Sequence, residues 1–534
     1  MRPRTSSIPS LADAEYAFHS ARKQPLRRIL AYTVLTTFLA VFLILGFAGS
    51  YPKDWASLEL GGFRGFPDFE HIRGDGVRTI TAEQLKESRR KRYVVVGDIH
   101  GMHQSFEKLM STVSYSESSD YLIHVGDLVA KGPSSAKVVH DLSHQNVTGV
   151  RGNHDQKVIE WKGWIDWVES YNGGSEWLKD MESKTESELE ELKKNTKKRK
   201  WKIPEGWKFG GEHYWIARRL TSHEARYIMN LPLIIHVPSY HLFFVHAGLL
   251  PLNPTIPLNS KHQPLSHVPG SLRKRALVKH YNNHHGRALD AKVDDGQAEV
   301  DKHGHRKPKD ERDLRTLQEQ LLLEAIPQNT VPFNLLNMRS VEHNAPVKSS
   351  NKGRPWSDVW NTVVSKCKGF PKDAVRLSLS GEGLPPIKGD DGKKRNMTWW
   401  ESLVEDGGEI IDWDPEEEEE PDYTWSRIPK KLPCNPSTVI YGHAAGRGLD
   451  LKRWTLGLDS GCVYGRRMTA LVFSEDEKEL ATLDALGVSS PGTPSNTDSE
   501  PEVQVTKIDL GDTLDNGKHL HARLASVRCP DVGA

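Results

Sequence analysis

Five short motifs in this chain combine metal-ligand side chains with glycine. They are GDIHG (97–101), GDLV (126–129), GNHD (152–155), VHAG (245–248) and YGH (441–443). Carboxylate, amide and imidazole groups are good ligands for divalent cations, and glycine lets the backbone approach closely. Together the motifs offer six ligands, enough for two cations that share one carboxylate. Two such ions about 3.5–4 Å apart suit the hydrolysis of phosphoryl esters.

Each motif follows an apolar run that is typical of a buried β-strand. The runs lie in RYVVVGD (92–98), YLIHVGD (121–127), VTGVRGNHD (147–155), HLFFVHAGLLP (241–251) and STVIYGHAAGRGLD (437–450). Helical patterns alternate with the first strands, which predicts an α/β fold. Ligands bind at the edge where the strands of such sheets end. We therefore expect the motifs to converge at one sheet edge.

The motifs resemble those of the calcineurin-like metallophosphoesterases, in the phosphoprotein-phosphatase branch. The segments GDLVAKGP (126–133), NLLNMRS (334–340) and GHAAGRGLD…GLDSGCVYG (442–465) are closer to the ApaH-like phosphatases, relatives of bacterial diadenosine tetraphosphate hydrolases. The resemblance spans about residues 92–475 and implies a central β-sandwich flanked by helices. A membrane-anchored form that faces a lumen is similar to the fungal vacuolar endopolyphosphatases of this family.

The resemblance also implies a role for individual residues. The implied metal ligands are Asp98, His100, Asp127, Asn153, His246 and His443. The first two hold one ion, the third bridges both ions, and the last three complete the second site. His154 is implied as the general acid that protonates the leaving oxygen. Two divalent cations are the expected cofactors, with Zn, Mn, Co and Mg left open.

One motif departs from the protein-phosphatase pattern Gly-Asp-x-Val-Asp-Arg-Gly, because Ala130 and Lys131 replace its second Asp and its Arg. The carboxylate that orients the general acid is then missing, and a bidentate guanidinium becomes a point charge. This change disfavours phosphoproteins and suits an inorganic or nucleotide polyphosphate. We expect Lys131 and Arg339 to contact phosphate oxygens. Arg447 is a second candidate, for which a surface turn is an equally good interpretation.

The sequence therefore predicts a hydrolase that cuts inorganic polyphosphate internally. A dinucleoside polyphosphate hydrolase stays open as an alternative, because it needs the same metals and phosphate contacts, and so does a serine/threonine protein phosphatase. An inactive, membrane-anchored binding protein is the alternative from another class. The complete ligand set and His154 argue against it.

Residues 29–49 carry no charge over about one bilayer thickness. Six basic residues precede this run, whereas Lys53 and Asp54 offset each other after it. The positive-inside rule then places the N-terminus in the cytosol and the rest across the membrane, although a cleaved signal peptide is the competing interpretation. Asn-x-Thr sequons at Asn146 and Asn396 fit a lumenal body. We expect a single-pass type II membrane protein, and the resemblance to the vacuolar endopolyphosphatases implies the vacuole membrane.

The overall composition restricts the partners and cross-links of the chain. Its 72 basic and 71 acidic side chains nearly cancel, so the total charge indicates no nucleic-acid partner. The four cysteines, at positions 367, 434, 462 and 529, lack CxxC spacing. Neither a zinc ribbon nor a disulfide scaffold is indicated, and one or two disulfides stay open.

The chain divides by composition into successive segments. We expect a basic tail (1–28), the transmembrane anchor (29–49), a stalk (50–90), a metallophosphatase domain (91–480) with insertions near 172–212, 255–312 and 380–425, and a linker with a C-terminal tail (481–534). The first insertion is a charged helical pattern expected to project into solvent. Its basic run 193–202 could follow a polyanion or form a solvated helix face.

Overall fold

Two mixed β-sheets with helices on their outer faces make up the fold. The computed structural model describes residues 76–194, 201, 203–204, 206–258, 260, 262–269, 311–372, 375, 387–388, 394–395, 429–489, 501–510, 514 and 517–531. The two sheets belong to one compact unit, which comprises residues 65–203 and 207–534.

The strands alternate with helices in the first half of the chain and predominate near its end. The strands are β1 (Val77–Thr79), β2 (Arg92–Val96), β3 (Asp120–His124), β4 (Thr148–Gly149), β5 (Ile234–Val237), β6 (Leu242–Val245), β7 (Ser340–Glu342), β8 (Ala345–Val347), β9 (Arg354–Pro355), β10 (Ile387–Lys388), β11 (Lys394–Arg395), β12 (Thr438–Tyr441), β13 (Asp450–Lys452), β14 (Thr455–Gly457), β15 (Arg467–Ser474), β16 (Val488–Ser489), β17 (Val503–Asp509) and β18 (His521–Arg528). The helices are α1 (Ala82–Glu87), α2 (His103–Thr112), α3 (Ser135–His144), α4 (Asn153–Glu169), α5 (Gly174–Glu182), α6 (Glu186–Lys194), α7 (Glu212–Arg219), α8 (Ser222–Met229), α9 (Glu311–Glu324), α10 (Pro332–Asn337), α11 (Trp356–Val364) and α12 (Ala481–Asp484).

Each sheet contains a parallel part that ends at the predicted motifs. The seven-stranded sheet has the order β16-β17-β18-β15-β2-β3-β4, and β2, β3 and β4 run parallel. The six-stranded sheet has the order β1-β5-β6-β12-β14-β13, and β6, β12 and β14 run parallel. The strand–helix units predicted at β2, β3 and β4 are therefore present.

The two sheets pack face to face, as the alternation of side chains along β2 illustrates. Tyr93 and Val95 lie in a buried cluster with residues of the six-stranded sheet such as Phe244. Val94 and Val96 belong to the cluster formed with the helices on the outer face. Because successive strand residues point to opposite faces, a fully apolar strand is buried on both sides. This arrangement is the β-sandwich flanked by helices that the sequence predicts.

The C-terminal region differs from the prediction of a linker and tail over 481–534. β17 and β18 lie in the seven-stranded sheet, where all eight residues of β18 pair antiparallel with β15. β15 in turn pairs with β2, the strand that leads to Asp98. The C-terminal segment therefore completes the sheet that carries the first motif, because β15 needs a partner on its outer side.

The first insertion also differs from the expectation that it projects into solvent. The residues described in α6 are mostly exposed, but α5 and α7 pack against α4. Trp161 and Trp164 of α4 make ring contacts with Trp177, Phe209 and Tyr214, which belong to the insertion and α7. The apolar aromatic residues scattered among its charges thus anchor the insertion to the domain.

Two disulfides link the four cysteines. Cys367 pairs with Cys434, and Cys462 pairs with Cys529. The second disulfide joins the loop between β14 and β15 to the residue after β18, so it ties the C-terminal strand to the loop that contains Asp459.

Several predicted segments lie outside the described residues. They are the tail and anchor (1–49), the stalk up to residue 75, residues 195–200 of the basic run, 270–310 of the second insertion and most of 380–425 with Asn396. In the part of the chain that the structure describes, no helix combines the length and apolar character needed to cross a bilayer.

Candidate metal centre

All six predicted metal ligands lie at one edge, to which both sheets contribute. In the seven-stranded sheet they follow β2, β3 and β4, and in the six-stranded sheet they follow β6 and β12. The residues are Asp98, His100, Asp127, Asn153, His246 and His443. All are buried except Asn153, which is partly buried.

A first group of ligand atoms surrounds the end of β2. The ligand atoms of Asp98, His100 and Asp127 lie within 4.8 Å of one another. His100 Nε2 is 3.4 Å from Asp127 Oδ2 and 3.9 Å from Asp98 Oδ2. His100 Nδ1 lies 3.2 Å from the carbonyl oxygen of Val129. Since a carbonyl only accepts, Nδ1 carries the proton, and Nε2 is left as an acceptor that the Lys131 ammonium approaches to 3.0 Å.

A second group forms around His246. Its Nε2 is 3.5 Å from Asp127 Oδ1 and 3.0 Å from Asn153 Oδ1. His246 Nδ1 donates to the carbonyl of Val125 at 2.9 Å, so Nε2 again presents a lone pair. The ligand atoms of His443 lie within 4.8 Å of those of Asp127 and His246. The ligand atoms of the second group are therefore close enough together to hold one ion.

The donor set fits two divalent cations. Each imidazole is fixed by a hydrogen bond from its other ring nitrogen to a backbone carbonyl, which is the usual support of a metal-ligating histidine. Both groups share Asp127, one through each carboxylate oxygen. Mixed imidazole, amide and carboxylate ligands are compatible with Zn and Mn alike, and the donor set leaves the identity of the ions open.

The backbone at the centre is held in an uncommon conformation. His100, Asp127 and His443 have φ angles of 46°, 49° and 66°, which cost a non-glycine residue about 1–2 kcal/mol. The neighbouring Gly442 is needed for space, because a Cβ there would lie 2.0 Å from Asp98 Oδ1. The N–H of His443 donates to the same oxygen at 3.0 Å. Such strain persists where the surrounding fold imposes it, and it concentrates at functional sites.

The two carboxylates of the first group differ electrostatically. Burial alone would raise the pKa of Asp127, but the nearby histidines, led by His246, outweigh burial and lower the pKa. The pKa of Asp98 is raised well above its usual value by burial and by the charges of Asp459 and Asp127. A cation beside Asp98 would favour its charged form.

His154, the predicted general acid, stands next to the ligand cluster without belonging to it. Its backbone N–H donates to Asp127 Oδ1 at 2.8 Å, and its ring meets the ring of His100 edge-on at 5.1 Å. Burial lowers the pKa of His154 to about 3, although the charge of Asp127 opposes the shift. The side chain therefore lies against the ligand cluster.

Two residues at the start of α7 reach the centre, and the sequence analysis did not identify them. His213 Nε2 lies 2.9 Å from His154 Nδ1, and Glu212 Oε1 accepts the backbone N–H of Lys131 at 2.5 Å. Burial lowers the pKa of His213 to about 4. The one sequence signal was the pair Gly210–Gly211 directly before a new helical pattern, which by itself indicates only a turn.

The three residues predicted to contact phosphate lie at different distances from the ligand cluster. The Lys131 ammonium lies 3.0 Å from His100 Nε2, at the ligand cluster itself. Arg339 is half-buried, donates to the carbonyl of His443 at 3.2 Å and interacts with the charges of Asp127, Asp459 and Asp98. Arg447 instead donates to the backbone carbonyl of Arg339 at 2.7 Å. Arg447 therefore contacts the backbone of Arg339. It lies in a short 3₁₀ turn, which agrees with the alternative interpretation of a turn residue.

Two further buried carboxylates were also missed. Asp155 accepts the N–H groups of Gly152 and Leu128, both at 2.9 Å, and so ties the start of α4 to the loop after Asp127. Burial and the charge of Asp127 raise the pKa of Asp155 to about 7. Asp459 is buried near Asp98. Their motifs were visible in the sequence, but only the packing shows that Asp155 lies near Asp127 and Asp459 near Asp98.

Residues 91–267 match the family model described as calcineurin-like phosphoesterase. The match confirms the coarser part of the sequence prediction, a mixed α/β metallophosphoesterase fold with His and Asp groups that could bind divalent metal ions.

Curated relatives include both of the predicted branches. Serine/threonine-protein phosphatase 2 of Escherichia coli is 34% identical over 101 residues, which are 18% of this chain and 45% of the relative. The symmetrical bis(5'-nucleosyl)-tetraphosphatase of Delftia acidovorans is 42% identical over 66 residues, 12% of this chain and 24% of the relative. The chain thus matches less than half the length of either relative.

Solved structures show only a distant likeness. A metallophosphoesterase from Sphaerobacter thermophilus is 17% identical with a TM-score of 0.18, and the match covers 31% of this chain and 48% of that one.

Proposed function

We propose that this protein is a metal-dependent phosphoanhydride hydrolase that cleaves inorganic polyphosphate internally. The observation that carries the hydrolase assignment is the position of Asp127 between two ligand groups. Its Oδ2 lies 3.4 Å from His100 Nε2, and its Oδ1 lies 3.5 Å from His246 Nε2. Two cations held there would polarise a phosphate and activate a water for in-line attack.

The residues of the chain divide the reaction between them. Arg339 and Lys131 bind non-bridging phosphate oxygens and keep the phosphorus in line. As the oxygen of water bonds to phosphorus, the bond from phosphorus to the leaving oxygen breaks and its electron pair stays on that oxygen. His154 then gives the leaving oxygen a proton, and the proton lost by the water passes to solvent.

The choice of polyphosphate rests on the charges beside the centre. Lys131 and Arg339 place two cations at the cluster, and Ala130 is a buried apolar residue where the protein phosphatases have a carboxylate. A substrate with a phosphate on each side of the scissile bond meets less repulsion when this carboxylate is missing. Polyphosphate has no other group to recognise, so point-charge contacts suit it.

A dinucleoside polyphosphate is the second candidate, and Tyr464 favours it. The side chain of Tyr464 is 55% exposed, and the Lys131 ammonium lies 5.5 Å from its ring centroid. An exposed aromatic ring next to a phosphate-binding cation could stack a nucleobase. The two curated relatives named above are a serine/threonine-protein phosphatase and a bis(5'-nucleosyl)-tetraphosphatase, the two alternative activities.

The test is a panel of substrates at equal phosphate concentration. Purified protein is incubated with Mn²⁺, Zn²⁺, Co²⁺ or Mg²⁺ and with long-chain polyphosphate, diadenosine tetraphosphate or a phosphopeptide. We expect intermediate chain lengths on gels before free phosphate accumulates. Release of phosphate only from chain ends would contradict internal cleavage. Faster turnover of diadenosine tetraphosphate, abolished by Tyr464→Ala, would establish the second candidate, and preference for the phosphopeptide would contradict both.

We also propose that the catalytic body faces the vacuole lumen and is anchored by residues 29–49. Disulfides persist in oxidising compartments, and the two disulfides of this chain support the proposal. Asn146 of the first sequon is exposed, as a glycosylated residue must be. In sealed vesicles, external protease should remove only the N-terminal tail. Digestion of the body without detergent would contradict this orientation.

A further inference from the structure

We propose that the first turn of α7 supplies the positioning groups that the altered Ala130–Lys131 motif lacks. In this view His213 orients the ring of His154, and Glu212 fixes the backbone of Lys131. The inference deepens the proposed function and rests on it in one respect, the role of His154 as general acid.

The geometry around His154 carries the first half of the inference. His213 Nε2 lies 2.9 Å from His154 Nδ1, which is a hydrogen-bonding distance. The two ring planes are inclined by only 26°, with centroids 5.0 Å apart, so the rings lie nearly in one plane, as a hydrogen bond between their nitrogens requires. On its other side the His154 ring meets His100 edge-on. Since Nδ1 is engaged, Nε2 is the nitrogen left to face the leaving oxygen, which is the role a carboxylate partner performs in other acid–base pairs.

Glu212 acts on the next residue of the same catalytic edge. Ala130 and Lys131 have consecutive φ angles of 71° and 68°, a conformation that neither side chain favours. The N–H of Lys131 donates to Glu212 Oε1, and the N–H of Ala130 donates to Ser135 Oγ at 2.9 Å. Both hydrogen bonds hold the strained loop, and the loop directs the Lys131 ammonium toward His100.

The helix that carries both residues is itself well anchored. Tyr214, next to His213, is fully buried, and its ring packs edge-on against Trp161 at 5.1 Å. Its hydroxyl donates to Glu182 Oε1 at 2.5 Å, and the same oxygen accepts from Arg218 Nε at 2.8 Å. A positioning group needs such rigid support. The start of α7 is thus held rigidly next to His154 and Lys131.

The chemical step makes the contribution of His213 measurable. When water attacks phosphorus, the leaving oxygen receives the electron pair of the broken bond and takes a proton from His154. A leaving group that is stable as an anion needs little of this proton, whereas a more basic one depends on it. Loss of His213 should therefore slow a phenyl phosphate much more than a 4-nitrophenyl phosphate.

The experiment compares His213→Phe, which keeps the ring but loses the hydrogen bond, with His213→Gln, which can restore it. His223→Phe is the matched control, because His223 is an exposed histidine of the adjacent α8. For His213→Phe we expect kcat on phenyl phosphate to fall about 10- to 100-fold, the range for supporting residues of a metal site. The loss should be smaller on 4-nitrophenyl phosphate, with KM, bound metal and the unfolding midpoint unchanged.

Two further measurements decide whether His213 acts through His154. His213→Gln should recover part of the loss, and the double variant with His154→Asn should be no slower than His154→Asn alone. Equal loss on both esters, additive losses in the double variant, or a drop in bound metal would overturn the inference. Since the comparison uses aryl esters, a failure to cleave polyphosphate would refute the proposed substrate and leave this test unaffected.

Discussion

Two buried clusters of the protein place a carboxylate between two histidines, Glu319 in one and Asp127 in the other, but the contacts of these carboxylates differ. Glu319 of α9 lies 2.8 Å from His236 Nε2 and 2.9 Å from His241 Nδ1, and it accepts from Ser437 Oγ at 2.8 Å. Burial would raise its pKa, but these partners outweigh burial and lower the pKa to about 2. The carboxylate of Glu319 is thus satisfied by protein groups alone.

Asp127 has its histidine nitrogens at 3.4 and 3.5 Å, beyond good hydrogen bonds. These nitrogens present lone pairs, because the other nitrogen of each ring donates to a carbonyl. A carboxylate facing lone pairs is stabilised by a cation placed between them, whereas the contacts of Glu319 leave no such need. The contrast shows that residue types alone do not distinguish a metal site from a structural cluster. What distinguishes them is the distance from the carboxylate to each histidine nitrogen and the hydrogen bond that the other ring nitrogen makes.

The largest expected effect comes from Asp127→Asn. The amide weakens the one ligand that both groups share, so bound metal should fall and activity should drop more than about 100-fold, beyond the loss caused by supporting residues. Metal content and kcat on the preferred substrate check this expectation. Glu319→Gln is the matched control and should keep its metal. Near-normal turnover of Asp127→Asn with less bound metal would contradict a shared ligand.

His154→Asn tests whether His154 is a general acid or a metal ligand. We expect the rate to fall by about 10²–10⁴, the range for a general acid, while bound metal stays at the wild-type level. Metal analysis next to steady-state kinetics separates the two roles. A large loss of metal would make His154 a ligand and extend the cluster.

Glu319→Gln should lower the stability of the protein and leave its metal content and activity unchanged. Replacing the charged acceptor of two histidines should lower the free energy of unfolding by about 2–3 kcal/mol, the scale of a hydrogen bond to a charged group. Denaturant unfolding measures the change, and activity at low temperature should be retained. Loss of metal binding in a folded Glu319→Gln protein would remove the distinction between the clusters.

The smallest expected effect is the loss of folding stability at low pH. Because the pKa of Glu319 is lowered from 4.5 to about 2 in the folded state, the stability it contributes is present above pH 4.5 and is lost as the pH falls toward 2. The wild type should lose roughly 2 kcal/mol from this group by about pH 3, whereas Glu319→Gln should not. Parallel stability curves for the two proteins would contradict the lowered pKa.

The prediction of the fold succeeded where local patterns were strong. The strand–helix units that begin at β2, β3 and β4 could be identified because apolar runs end at glycine and a polar residue. The segment 481–534 was misjudged because its place in the sheet depends on β15, which pairs with β18 on one side and with the distant β2 on the other. No local signal in the sequence encodes such pairing. The aromatic residues of the first insertion were similarly hidden among charges.

The sequence by itself determined which side chains could bind two cations, because the ligand types and their glycines lie next to each other in each motif. It also determined that the Ala130–Lys131 motif lacks the usual carboxylate and guanidinium. Only the tertiary structure decided what stands in their place. His213 lies 59 positions after His154 in the chain, in a different helix, so the packing of α7 against α4 brings the two rings together. Side chains that meet through packing alone leave no spacing in the sequence to detect.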